Sequence, residues 1–65
     1  MDVRLDLERT EVRELELALD AQLYELRVEL ARAEIRDFKA ELRERLIRLE
    51  AVAARLKAAD VASLQ

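Results

Sequence analysis

At 65 residues, with 52% hydrophobic and 42% charged side chains and a net charge of −3, the chain has room for one small domain. It contains no Cys and no His, which excludes disulfides, thiolate metal sites and the commonest transition-metal ligand and general base. It contains no Gly and no Pro and is only 3% aromatic, a mixture that is nearly all helix, and a short chain with no covalent or metal staple is left with oligomerisation to complete its core.

Residues 1–9 read as an extended lead-in or a short strand, because Asp2-Val3-Arg4-Leu5-Asp6-Leu7 alternates polar and apolar with a period of two. As a lead-in, Val3, Leu5 and Leu7 tuck over the end of a helical bundle. Residues 10–59 then read as a helical hairpin. Its first helix spans about 10–32 and starts near Glu8 to Thr10. Thr10 is a candidate cap, although Arg13 stands where a capping box would place Glu or Gln. Val12, Leu15, Leu19, Leu23, Leu26 and Leu30 fall in one sector of the helical wheel, centred near about 100°. Leu17, Ala21, Tyr24, Val28 and Ala31 lie nearly opposite, and Glu16 is assigned to the water-facing surface.

The stretch 33–37 decides the topology. Beyond it the apolar stripe of Phe38, Leu42, Leu46, Leu49, Val52 and Leu56 has rotated to about 220° on the same wheel. Continuing the first stripe would put Asp37 and Glu41 on the apolar face. A reversal instead places both acids in the first turn of a second helix, where the dipole favours them, with Asp37 as candidate N-cap. Against a turn, the stretch offers no Gly, Pro or Asn, and Leu17, Ala21, Tyr24, Val28, Ala31, Ile35, Phe38, Leu42, Arg45, Leu49, Val52, Leu56 and Ala59 run through it at heptad spacing. The expected fold is therefore all-α, an antiparallel helical hairpin assembling into a dimeric four-helix bundle. Its alternative is a single long helix in a coiled coil.

The second helix is expected at about 37–59, with 60–65 as a frayed tail. Ala40, Ile47, Ala51, Ala54 and Ala58 lie away from its main stripe, so both helices carry two apolar faces. Two faces call for two neighbours, and the simplest closed assembly that supplies them is a two-fold dimer of hairpins. The charges are complementary: residues 11–32 hold six acids against three bases, net −3, whereas 37–59 hold four acids against six bases, net +2.

The run Leu26-Arg27-Val28-Glu29-Leu30-Ala31, followed by Phe38-Lys39-Ala40-Glu41-Leu42-Arg43-Glu44-Arg45, resembles a group of small, uncharacterised bacterial helical-hairpin proteins. In that group a Leu-Asp-Leu lead-in, here Leu5-Asp6-Leu7, precedes the first helix. A Leu-Arg-x-Glu-Ile segment ends it and a Phe-Arg-x-x-Leu segment opens the next. The resemblance covers most of the chain and implies a hairpin fold without an assigned activity. The group tends to a polar Thr-Asp turn, where this chain has Ala33-Glu34.

No catalytic constellation is present. Glu14, Glu25, Glu29 and Glu44 invite comparison with carboxylate-bridged metal sites in four-helix bundles, but those sites need Glu-x-x-His pairs and the chain has no His. Thr10 and Ser63 have no nearby base to activate them. Tyr24 reads as a core residue with its hydroxyl at the rim. No cofactor, metal or enzymatic activity is expected. Arg36, Lys39 and Arg43 form a basic strip on the second helix, so a small nucleic-acid adapter is the alternative function. A plasmid RNA-binding protein built as a dimer of short helical hairpins gives it a precedent, and the sequence pI of about 4.9 speaks against it. A ribbon-helix-helix reading fails because two of the three outward residues at Asp2, Arg4 and Asp6 would repel phosphate. No membrane span and no basic-then-apolar leader pattern are evident, which predicts a cytoplasmic protein. The expected function is a non-catalytic, self-associating scaffold or protein-interaction module whose partner is itself or another helical protein.

Overall fold

The computed structural model describes residues 2–63, with side chains through Val61. Two helices, α1 (Arg9–Arg32) and α2 (Arg36–Ser63), fold back on each other as a hairpin. The molecule measures 45 × 25 × 16 Å, so its longest dimension is close to the length of α2 alone, about 42 Å at 1.5 Å per residue. The single-long-helix alternative is thereby excluded. So is the strand at Val3 to Leu7, since residues 2–8 carry no regular structure and no strand occurs among the described residues.

α1 starts at Arg9 with Glu8 as its cap. The Glu8 backbone N–H donates to Glu11 Oε1 at 2.9 Å, and the Glu8 carbonyl accepts the first helical hydrogen bond from Val12 at 2.9 Å. Thr10 therefore lies inside the first turn and does not cap. The capping signature is the Glu8-x-x-Glu11 spacing, two residues upstream of the Thr10 register. At the other end Ala33 leaves the helix with φ −67° and ψ 134°, its N–H still bonded to the Glu29 carbonyl at 2.9 Å. No described residue has a positive φ. The chain thus leaves α1 through extended backbone at Ala33 and reverses with no left-handed residue. This is how a turn forms without Gly. α2 begins at Arg36, so Asp37 sits in its first turn, where the dipole favours it, and not at the N-cap. α2 also runs to Ser63, past the expected end at 59, so residues 60–63 belong to the helix; 64 and 65 lie outside the described residues.

The helices meet in a definite antiparallel register. Arg27 reaches Glu50 at 3.3 Å and Asp20 reaches Lys57 at 3.9 Å, seven residues down α1 matching seven residues up α2. Between them the core is a four-three seam. Leu23, Leu26, Leu42 and Ala53 are buried, and Val12, Leu19, Leu30, Leu46, Leu49 and Leu56 are half-buried. Burying a leucine fully contributes about 1.5–3 kcal/mol, so Leu26 and Leu42, 1% and 2% exposed, carry the largest share per residue. Carried toward the turn, the same register sets Arg32 at the end of α1 opposite Arg45, in the third turn of α2. The start of α2 overhangs the end of α1. Phe38, expected in the core, lies on that overhang at 48% exposure.

Candidate functional site

The two seams show which positions wheel averaging missed. In α1 the inward residues are Val12, Glu16, Leu19, Leu23, Leu26 and Leu30, strictly four-three, with Leu15 at the edge. In α2 they are Leu42, Leu46, Leu49, Ala53, Leu56 and Asp60, with Val52 turned outward. The leucines announce the seam, and the spacing fills its gaps with Glu16, Ala53 and Asp60. Glu16 is therefore not a surface residue. It is half-buried, and its Oε1 is shut away from water with no hydrogen-bond partner among the described residues.

Glu16 and Asp60, both half-buried seam residues, approach each other at the open end of the hairpin. Burial of the Glu16 carboxyl raises its pKa above the ordinary value of 4.5. A hydrogen bond from the protonated Glu16 carboxyl to Asp60 and the charge of Asp60 push in the same direction, and Arg13 and Lys57 pull against them. The residues 2–8 lead-in passes over this end. Leu5 and Leu7 join Arg9, Val12, Leu56, Ala59 and Asp60 around an open cleft of about 690 Å³. Val3 and Leu5 nonetheless stay largely in water.

The remaining chemistry-bearing residues are dispersed. Among the described residues no group of three or more acids is placed to hold a metal ion. Arg36 and Arg43 are exposed, but Lys39 between them is half-buried at a seam position, and one heptad beyond Arg43 the strip ends at Glu50, which is paired with Arg27. Glu44 pairs within its own helix with Arg48 at 3.6 Å.

The broadest feature is apolar. On α1 the outer stripe Leu17, Ala21, Tyr24, Val28 and Ala31 is exposed except at Val28, and on α2 the stripe Ile47, Ala51, Ala54, Ala58 and Val61 is exposed throughout. Leu17, Tyr24, Ile47 and Val61 are 57%, 69%, 63% and 59% exposed. Tyr24 is thus not a core residue of this hairpin. The cross-helix register puts the two stripes at the same height, each on the outer side of its own helix. The Arg27–Glu50 and Asp20–Lys57 pairs flank the seam between the helices. No described helix is long and apolar enough to cross a membrane. No family model, curated protein or solved structure matches this chain.

Proposed function

We propose that this protein is a non-catalytic, self-associating helical scaffold or protein-interaction module, and that two hairpins close into a homodimeric four-helix bundle. The observation behind this reading is the pair of level, exposed apolar stripes, which a lone hairpin leaves in water. A second copy covers them by the same i, i+3, i+4, i+7 anchoring that a partner helix of another protein would use. With no His, Cys or Gly, the chain offers no imidazole base, no thiolate and no glycine-rich phosphate loop.

Sedimentation equilibrium over the micromolar range is the test, and the expected mass is twice the 7.6 kDa of the chain. A stable, cooperatively melting 7.6 kDa species overturns the reading. Complexes isolated from the native host should resist nuclease. Nuclease-sensitive complexes that disappear when Arg36, Lys39 and Arg43 are replaced by Glu would favour a nucleic-acid adapter instead.

A further inference from the structure

We infer that the second copy docks with its α2 against the outer stripe of this chain's α1, antiparallel, in the same register that joins α1 and α2 within the chain. The inference rests on the self-association proposed above and specifies its geometry. In that register Leu17 lies against Ala58 of the second copy, Ala21 against Ala54, Tyr24 against Ala51 and Val28 against Ile47. Three of the four layers set a side chain on a small alanine, which lets the helices approach closely. A shallow depression of about 180 Å³ beside Tyr24, lined also by Glu25, Val28 and Glu29, lies at the level where Ile47 of the second copy arrives.

The flanking charges pin this register. With these layers, Asp20 faces Lys57, Arg27 faces Glu50, Glu25 faces Arg48 and Arg32 faces Glu41 of the second copy, every pair of opposite sign. Sliding by one heptad in one direction puts Arg13 against Lys57, Asp20 against Glu50 and Arg27 against Arg43. Sliding in the other puts Arg27 against Lys57 and Arg32 against Arg48. Both shifts juxtapose like charges. Pairing α2 with α2 sets Arg48 against Arg55. Pairing α1 with α1 antiparallel balances its charges, Asp20 facing Arg27, but leaves Ile47 in water. Only α1 on α2, made twice about one two-fold axis, covers Leu17 to Val28 of one stripe and Ile47 to Ala58 of the other. It also extends the two intrachain ion pairs, at 3.3 and 3.9 Å, into two four-residue rings, each of two acids and two bases.

Ala21 and Ala54 stand on the outer sides of their own helices, too far apart to be bridged within one chain, and they adjoin only across the proposed interface. The A21C/A54C variant, dimeric and helical under reducing conditions, should on oxidation give a covalent dimer linked between positions 21 and 54. Each single variant should give none. A dimer that fails to form this link, or one that is linked instead in an A21C/Y24C variant, overturns the α1-on-α2 docking while leaving self-association standing; a monomer in sedimentation overturns both. As a second readout, Glu25→Arg and Arg48→Glu should each weaken dimerisation several-fold and the double variant should recover it. Additive losses in the double variant overturn the docking.

Discussion

Leu26 and Leu42, almost wholly withdrawn from water, face the same cost on truncation: Leu26→Ala and Leu42→Ala should each destabilise by about 2–5 kcal/mol in chemical denaturation. Glu44→Ala breaks an exposed pair within one helix turn and should stay within about 0.5 kcal/mol. Glu16 obeys a different rule. Its carboxyl binds a proton more tightly in the folded chain than in the unfolded one, so its contribution is fully present below pH 4.5 and is lost as pH rises through the raised folded value. Arg13 and Lys57, which face it, moderate the loss and do not reverse it. Glu16→Gln keeps a donor toward Asp60 without a charge. The variant should melt higher than the parent at pH 7, and the gap should close as the pH is lowered toward 4.5. A parent melting curve indifferent to pH over this range would contradict the assignment.

At the level of the helices, the reversal at 33–35 needs no left-handed residue, and its energetic reason is burial. A continuous helix would rotate the second leucine stripe away from the first, and neither could cover the other. Labels at positions 22 and 55, level in the hairpin, should lie on the order of 10–15 Å apart, set by interhelical packing. In one straight helix they would be about 50 Å apart at 1.5 Å per residue. The measurement requires labelled chains diluted into unlabelled excess, so that contacts between copies do not mimic the short distance. The cap of α1 is a second test. Glu11→Ala removes the acceptor of the Glu8 N–H and should cost about 0.5–1 kcal/mol of helix stability.

For the whole molecule, few side chains are buried and the apolar remainder is shared between two outer faces, so stability should depend on concentration. If the hairpin is completed by a second copy, its melting temperature should climb with protein concentration, because anything that binds the folded chain stabilises it by mass action. High salt should act less simply, weakening the flanking pairs while strengthening apolar burial. A melting temperature flat over a hundredfold dilution would remove the thermodynamic basis for the proposed assembly.

The helical class, the leucine stripes and the fold-back were legible in the residues alone, because a 3.6-residue period and a rotated stripe are local properties of the chain. So was the presence of a second apolar face on each helix, Leu17 to Ala31 on α1 and Ile47 to Ala58 on α2. What the chain order could not decide was anything that depends on the distance between helices. The turn at 33–35 sets the axial offset of α2 against α1, and that offset leaves Phe38 in water and brings Glu16 level with Asp60. Capping by Glu8 and Glu11 was readable in principle from the Glu-x-x-Glu spacing, but Thr10, the better intrinsic cap, concealed it. Periodicity reports which residues share a face, whereas only the packed hairpin says which residue each one meets. That is why the meeting of Glu16 with Asp60, and the register on which the proposed dimer depends, emerge only from the tertiary structure.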